Sequence, residues 1–265
     1  MNYGTYLATS GVLASMRRMD VIANNLANAN TNGFKPDIIT PQERPAERLE
    51  GRSSFADPLA PSQDMLEKLG GGLRFGKDRI DLSQGPLERT LLDTDIAIRG
   101  EGFFVLASAD GKPPTANSPI QMTRDGALVV DGDGILRVAG NGRALIGEDG
   151  RPVKVDPEQK FAVDRTGRIY QDGDEVARIR IVRPLNPAAI EKLGQNILST
   201  KAGVERVPDG AADVAQGMLE GSGSDPVNAM VEMIRQSRLM EANLRMMQYQ
   251  DNLTGQAIAG ITRLI

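Results

Sequence analysis

Apolar residues recur at alternating spacings of four and three at both ends of this 265-residue chain. Such spacing places side chains along one stripe of an α-helix, as in the seam of a coiled coil. At the amino end the stripe contains Val12, Met16, Met19, Ala23 and Leu26. At the carboxyl end it runs through Met233, Ser237, Met240, Leu244, Met247, Asp251, Thr254, Ile258, Ile261 and Ile265. We therefore predict two terminal helices whose seams pack against other helices.

The same spacing is also that of an ordinary amphipathic helix, buried in the core of its own domain. The carboxyl-terminal pattern favours the seam because of its length. Pro226 suits a first helical turn, Ser224 or Asp225 can cap it, and a helix from 227 to the end would be about 55–60 Å long. That length is large for one compact domain.

A run of asparagines follows the amino-terminal stripe, and it precedes Gly33 and Phe34. The run consists of Asn24, Asn25, Asn28, Asn30 and Asn32. Asparagine is a poor residue inside a helix because its amide competes for backbone hydrogen bonds. Two explanations stay open: the amides form ladders or caps between subunits, or they end the helix together with Gly33, which tolerates positive φ. We expect Phe34 to pack against a neighbouring helix.

The middle of the chain contains two segments with different sequence patterns. Residues 36–80 contain five prolines between Pro36 and Pro61, a short helical candidate at 63–69 and three glycines at 70–72, which predicts an extended connector. Residues 81–205 carry β-branched and aromatic runs separated by Asp-Gly and Asn-Gly turns, which predicts an all-β domain. The runs are 95–98, 103–106, 127–130, 135–138, 153–155, 168–170 and 176–183.

The predicted fold class is therefore α+β, with two long terminal helices that form a coiled-coil-like layer, an inserted all-β domain and an extended connector. The predicted organisation is a helix in 1–35, the connector in 36–80, the β domain in 81–205, a joint in 206–226 and the final helix in 227–265.

Composition narrows the possible functions. The chain has no cysteine and no histidine, which removes thiolate chemistry and the commonest general base and metal ligand. Its 35 acidic and 31 basic residues give a net charge of −4, so there is no basic field for nucleic acid. No apolar run approaches the roughly 20 residues that span a bilayer, and the amino terminus lacks the pattern of a cleaved signal peptide. We expect no enzyme activity, cofactor, metal or small-molecule substrate.

Two glycine-containing segments resemble ligand loops only superficially. Asp131 and Asp133 have the early spacing of a calcium loop, but Ile135 and Gly142 stand where further oxygen ligands are needed, so we predict β-turns. The segment 99–104, RGEGFF, lacks the third glycine of a nucleotide loop and runs into a strand. Its glycines are expected to make a sharp turn or bulge.

A pair of neighbouring carboxylates can indicate a catalytic site, because two acids can act together in catalysis. Asp93 and Asp95 have this spacing, but no base or cleft is indicated near them. We predict that both lie on a solvated strand edge.

Several segments together resemble the bacterial flagellar basal-body rod and hook proteins along essentially the whole chain. Residues 20–35, DVIANNLANANTNGFK, are similar to the family's amino-terminal signature. Other similar segments are QGPLERT at 84–90, AIRGEGFF at 97–104, TRDG at 123–126, GMLEGS at 217–222 and MVEMI at 230–234. The chain length and the PVNAM sequence at 226–230 resemble the proximal rod proteins, with the distal rod proteins as the alternative.

This resemblance implies a structural subunit of the periplasmic rod, the drive shaft that transmits torque from motor to hook. It implies type III export without a cleaved signal peptide. The implied partners are copies of the chain, other rod proteins, and adjacent ring and export-apparatus components. A periplasmic module that binds calcium or glycan through the β domain is the alternative from another class.

On this hypothesis the two terminal segments carry the assembly contacts. The assembly residues are Val12, Met16, Met19, Ala23, Asn24, Asn25, Leu26, Asn28, Asn32, Gly33, Phe34, Met233, Met240, Leu244, Met247, Ile258 and Ile261. Isolated helices are marginal unless an apolar face is packed. Because the seams have no evident partner within the chain, we expect both ends to become ordered on assembly.

Overall fold

A computed structural model describes residues 3–43, 72–76, 78–109, 111, 113–114, 118–208 and 210–262. The chain is α+β, and its described residues divide into two compact units. We call 1–26, 37–79 and 226–265 the helical unit, and 27–36 and 80–225 the β unit. The helix predicted at 63–69 lies outside the described residues.

The helical unit contains α1, Tyr3–Ala27, and α2, Pro226–Thr262. The start of α2 is as predicted, but α1 ends eight residues before position 35 because a turn with a Thr31 N to Asn28 O hydrogen bond of 3.1 Å follows it. The short strands of the intervening segment are β1 Asp37–Ile38, β2 Pro41–Glu43, β3 Leu73–Phe75 and β4 Arg79–Ile80. Strands β2 and β3 pair antiparallel.

The β unit contains the remaining strands and one 3-10 helix, Pro187–Ala189. The strands are β5 Leu87–Arg89, β6 Ile96–Gly100, β7 Phe103–Leu106, β8 Ile120–Thr123, β9 Leu128–Val130, β10 Leu136–Val138, β11 Ala162–Val163, β12 Arg168–Gln171, β13 Asp174–Arg178, β14 Ile181–Pro184, β15 Ile190–Gly194, β16 Ile197–Thr200, β17 Val204–Arg206, β18 Ala212–Gln216 and β19 Met218–Glu220. A six-stranded sheet has the order β15-β16-β8-β7-β14-β17, and a three-stranded sheet has the order β11-β12-β13. The pairs β9-β10, β6-β18 and β5-β19 complete the pattern.

Strand β7 lies at the centre of the six-stranded sheet, and all four of its residues are buried. Successive side chains of a strand point to opposite faces. Phe104 and Leu106 accordingly join the main apolar cluster on one face, while Val105 packs in a second cluster on the other. Both faces of this strand are therefore covered, which fixes its register and closes the core of the β unit.

The sequence pattern located the local strands better than the distant pairings. The runs 103–106, 168–170, 127–130 and 135–138 correspond to β7, β12, β9 and β10 within one residue at each end. The run 176–183 is split between β13 and β14, and 153–155 forms no strand, with a single isolated bridge from Lys154 to Ile135. The predicted joint at 206–226 is also wrong in part, because β18 pairs with β6 and β19 with β5, about 115 and 130 residues away in the chain.

Candidate functional site

The predicted seam residues of α1 do not form its most buried face. Met16 and Ala23 are exposed, and Val12, Met19 and Leu26 are only half-buried. The buried side chains instead include Ala8 and Ser15, which with Gly4 and Gly11 repeat the spacing of four and three. These positions precede the predicted stripe by one residue, which rotates the packed face by about 100° around the helix.

Small residues on α1 allow α2 to approach closely. A Cβ atom added at Gly4 would lie 2.3 Å from Nε2 of Gln250, and one at Gly11 would lie 2.8 Å from Nδ2 of Asn243. Oγ1 of Thr5 also donates to Oε1 of Gln250 at 3.1 Å. Residues later in α1 contact residues earlier in α2, since Gly4 lies near Gln250 and Gly11 near Asn243. The two helices therefore run antiparallel. The expectation that the terminal seams have no partner within the chain is therefore wrong for this part of the pair.

The predicted seam of α2 is also only partly buried. Met233, Met240 and Met247 are half-buried, Leu244 and Ile258 are exposed, and the side chain of Ile261 lies outside the described residues. All residues of 251–260 are exposed. The exposed large apolar side chains of the two helices are Tyr6, Leu13, Met16, Val227, Met230, Val231, Ile234, Leu239, Leu244, Met246, Tyr249, Leu253 and Ile258. The helix pair thus leaves a broad apolar surface in solvent.

The asparagine run has local roles in the described structure. Asn25 donates through Nδ2 to O of Asp37 at 2.9 Å and accepts from N of Asp37 at 3.0 Å, so it ties β1 to α1 within the helical unit. Oδ1 of Asn28 accepts from Oγ1 of Thr31 in the turn after α1. The backbone oxygen of Asn32 accepts from Nδ2 of Asn196 at 2.6 Å. Asn24 is exposed. The Asn28 contact favours the helix-ending explanation for that residue, whereas Asn25 connects α1 to β1.

Gly33 and Phe34 belong to the β unit. Gly33 has φ of +65°, as predicted, and its N–H donates to the backbone oxygen of Glu220 at 2.6 Å. A Cβ atom at this position would lie 2.4 Å from the carbonyl carbon of Arg124. Phe34 is buried with Nζ of Lys192 4.4 Å from its ring centroid. The expectation that Phe34 packs on a neighbouring helix is therefore replaced by packing within its own β unit.

Next to Phe34 lies a buried ionic cluster that the sequence did not predict. Glu220 is 1% exposed, and its Oε1 accepts from Nζ of Lys35 at 2.6 Å and from the backbone N of Gly85 at 3.0 Å. Its Oε2 accepts from Nη1 of Arg124 at 2.9 Å. We call Lys35, Arg124 and Glu220 the buried triad.

Two cations share one carboxylate in the buried triad, so backbone oxygens supply the remaining acceptors. Lys35 Nζ donates to O of Ser83 at 2.5 Å, and Arg124 donates to O of Ile98 and O of Gly100 at 3.0 and 2.5 Å. Burial lowers the pKa of Lys35 and of Arg124, although the hydrogen bonds and charge of Glu220 act in the opposite direction. An arginine nevertheless stays protonated.

The triad brings together separated segments of the sequence that carry the resemblance. Lys35 ends the amino-terminal signature, Arg124 lies in TRDG, and Glu220 lies in GMLEGS. Gly85, from QGPLERT, completes the contacts to Glu220. Sequence reasoning missed this cluster because lysine, arginine and glutamate are seldom fully buried. The one available signal was that each residue lies inside a segment that carries the resemblance.

The segments that resemble ligand loops only superficially form turns, as predicted, and one of the two neighbouring acids differs from its prediction. Oδ1 of Asp131 accepts from the backbone N–H groups of Asp133 and Ile135, which makes a turn. Gly100 and Gly102 have φ of +99° and +133°, as a turn or bulge requires. Asp93 is exposed as expected.

Asp95 is the exception to the predicted solvated edge. It is buried, and a β-bridge joins it to Ala127. Its backbone oxygen also accepts from Gly217 N at 2.8 Å. Backbone contacts from two other parts of the chain therefore hold this position inside the β unit. Among the described residues there is no group of acidic side chains placed to hold a metal ion, and no helix apolar enough to cross a membrane.

Comparisons with known proteins identify family matches near both ends of the chain. The family model "Flagella basal body rod protein" matches residues 6–35, and "Flagellar basal body rod FlgEFG protein C-terminal" matches 215–259. The matched regions contain most of α1, most of α2, and the Lys35 and Glu220 members of the triad.

Relatives of similar length extend the match to the whole chain. It is 30% identical to the flagellar basal-body rod protein FlgF of Caulobacter vibrioides over 100% of both chains. It is 28% identical to FlgF of Salmonella typhimurium over 97% of both, and 29% identical to FlgG of Borreliella burgdorferi over 94% of this chain and 95% of that one. The chain belongs to the flagellar basal-body rod protein family.

Proposed function

We propose that this chain, which is a structural subunit of the flagellar basal-body rod and not an enzyme, assembles through the exposed surface of α1 and α2. The observation that carries the proposal is the contrast in burial along these helices. The face of α1 that contacts α2 contains small residues such as Gly4 and Gly11, while larger side chains including Leu13, Met16 and Ile234 are exposed. Contiguous exposed apolar surface of this kind marks interaction sites.

The finer mechanism follows from the same surface. Each terminal helix has one face on its partner helix and a second face available to neighbouring subunits, which supports a coiled-coil-like layer in the assembled rod. Many weak apolar contacts then act in parallel, so torque passes through the layer without dependence on one residue. Methionine side chains such as Met230 and Met246 suit neighbours of different shape, because the thioether chain is flexible.

The position in the rod is part of the proposal. Full-length similarity to FlgF supports a proximal position, with copies of this chain and an FlgG-type protein as neighbours, and ring and export-apparatus components nearby. Similarity to FlgG over most of the chain makes the distal position the second candidate. We further infer a periplasmic location reached by type III export.

The assembly surface is tested by placing a charge on it. Leu13→Asp puts a carboxylate at a 60% exposed position of α1, and Leu185→Asp makes the same change at a 62% exposed position of the β unit. Both variants are expressed in the parent bacterium without its own copy of the gene. We expect Leu13→Asp to abolish incorporation into isolated basal bodies and swimming, while Leu185→Asp retains both. Equal behaviour of the two variants would contradict the proposal.

The position is tested in a strain that lacks its FlgG-type protein. A proximal subunit is expected in the basal-body fraction of that strain, because it is added before the distal rod. If the chain is found there only when the FlgG-type protein is present, the distal candidate replaces the proximal one.

A further inference from the structure

One turn of the β unit displays two leucines in solvent. Leu91 is 72% exposed, the largest value among the exposed large apolar residues described, and Leu92 is 59% exposed. Leu91 also has φ of +65°, which is unfavourable for a residue with a bulky side chain. Backbone strain of this kind persists where surrounding structure imposes it, and it is concentrated at functional sites.

Backbone hydrogen bonds hold the turn in this conformation. The N–H groups of Thr90 and Leu91 both donate to O of Gly217, at 2.9 and 3.3 Å, and Asp95 N donates to O of Leu92 at 3.1 Å. The two leucines are therefore presented by a fixed turn that joins β5 to β6. We call Leu91 and Leu92 the leucine knob.

A shallow apolar groove lies on α2. It is lined by Arg238, Glu241, Ala242, Arg245, Met246 and Tyr249. Positions 238, 242 and 246 form one i, i+4 ridge and positions 241, 245 and 249 form the next, so the groove between them has the shape that receives a protruding side chain in helix packing. Ala242 has the shortest side chain among the residues that line the groove.

Charge complements shape at the two surfaces. Exposed Asp93 follows the leucine knob, while Arg238 and Arg245 flank the groove. One of these arginines is loosely paired, with Nη2 of Arg245 3.9 Å from Oε2 of Glu241. The lining of the groove thus has two basic residues and one acidic residue, whereas an acidic residue follows the knob. Exposed Arg89 lies before the knob, two residues from Leu91, and has the charge opposite to that of Glu241 in the groove.

We propose that the leucine knob of one subunit docks in the α2 groove of a second copy of this chain. A knob and a groove on different parts of one surface make a heterologous contact, which repeats from subunit to subunit and generates an open helical assembly. The inference rests on the proposed rod function, and it adds which two surfaces meet.

Cross-linking tests this contact, because the chain has no cysteine of its own. The double variant Leu92→Cys/Ala242→Cys is expressed in the parent bacterium without its own copy of the gene, and isolated basal bodies are treated with a short bis-maleimide. We expect covalent dimers and higher multiples of this chain, which neither single variant produces. The control pair Leu92→Cys/Leu244→Cys uses a position about 200° around α2 and should give at least about tenfold less product.

The other outcomes separate this proposal from the rod function. A product that contains a single copy with an internal cross-link, or a product with a different protein, would overturn docking between copies. Absence of any product from basal bodies that contain the double variant would also overturn it, and the rod function would stand. Absence of the unmodified chain from basal bodies would instead overturn the rod function.

Charge exchange keeps the proposal testable if a cysteine variant fails to assemble. Asp93→Arg should reduce swimming, and the combination Asp93→Arg with Arg238→Glu and Arg245→Glu should restore it. Arg235→Glu, at an exposed position outside the groove lining, is the control and should give no rescue. Failure of the combined variant to exceed Asp93→Arg alone would contradict the docking.

Discussion

The β unit and the helical unit use their apolar residues in opposite ways. In the β unit, side chains such as Phe104, Ile169 and Leu145 are completely buried in a core that their own strands close. In the helical unit, the packed face of α1 is made of glycine, alanine and serine, and large side chains such as Leu13 and Ile234 remain in solvent. The β unit thus closes a core of its own, although it exposes the leucine knob, whereas the helical unit leaves large apolar side chains along both helices that association can bury.

The largest effect is expected from breaking the buried triad, which should weaken only the β unit. Glu220→Gln leaves Lys35 and Arg124 buried without their counter-ion and should cost about 3–5 kcal/mol of the free energy of unfolding. Hydrogen exchange read by mass spectrometry separates the units: protection should fall in β5, β6 and β19 more than in α1 and α2. Lys35→Met is the control, because it leaves one cation with one anion and should cost less. A larger loss in Lys35→Met would contradict this account of the charges.

A second substitution distinguishes close packing from backbone strain. Gly33→Ala adds a Cβ atom 2.4 Å from the Arg124 carbonyl carbon at φ of +65°. Gly142 has nearly the same φ, +68°, with open space around it. Both should lose about 1–2 kcal/mol to the left-handed backbone, but Gly33→Ala should lose about 1–3 kcal/mol more from overpacking. Urea unfolding followed by circular dichroism measures the difference, and equal midpoints would show that the crowding at Gly33 relaxes freely.

The pH dependence of the β unit offers a smaller effect. Burial raises the pKa of Asp125, with the charge of Asp95 acting in the same direction and the hydrogen bond from Ala127 N opposing it. The folded carboxyl therefore binds its proton at a higher pH than the unfolded one, whose pKa is 3.8. As pH falls from neutral through the raised pKa, this group adds stability until about 3.8, by at most about 1.4 kcal/mol for each pH unit in that window.

Asp125→Asn removes that titration and keeps an oxygen that can accept from Ala127 N. Relative to the Asn variant, the unsubstituted chain should gain stability on acidification through this range. Parallel pH profiles of the two proteins in urea unfolding would mean that Asp125 is not protonated more readily in the folded state.

The smallest effect concerns the end of α2. A Cβ atom at Gly255 meets nothing within 4 Å, so Gly255→Ala should add about 0.5–1 kcal/mol of helix stability without a steric cost. Slower hydrogen exchange is expected around position 255 and unchanged exchange in the β unit. An altered β unit would show that the two units are less independent than their contrast implies.

The parts that sequence could predict are those with local signals. The terminal helices follow from periodicity, and strands such as β7 follow from short apolar runs beside turn residues. The predicted face of α1 lies one residue away from the face that packs, because a search for large apolar side chains ignores Gly4 and Gly11. Close helix approach depends on small size, and an apolar pattern does not record it.

The buried triad and the pairings of β18 and β19 could not be predicted from local sequence patterns. Lys35 and Glu220 are 185 residues apart, and charged residues normally predict exposure. Their contact depends on strands that bring distant segments together, and only the complete fold specifies these. The resemblance marked the same segments, but it did not say that they touch.

The two ends of the β unit meet each other. Within its longer segment, 80–225, Gly221 N donates to O of Pro86 at 2.7 Å, so this segment begins and ends side by side, and Gly223 N donates to O of Phe34 in the shorter segment at 2.9 Å. A domain with adjacent ends can be inserted into a host chain, or exchanged, without stretching the host. The continuous segment 80–225 can therefore be lengthened, shortened or replaced by another fold, provided that the contacts between the Gly33 and Glu220 segments are kept.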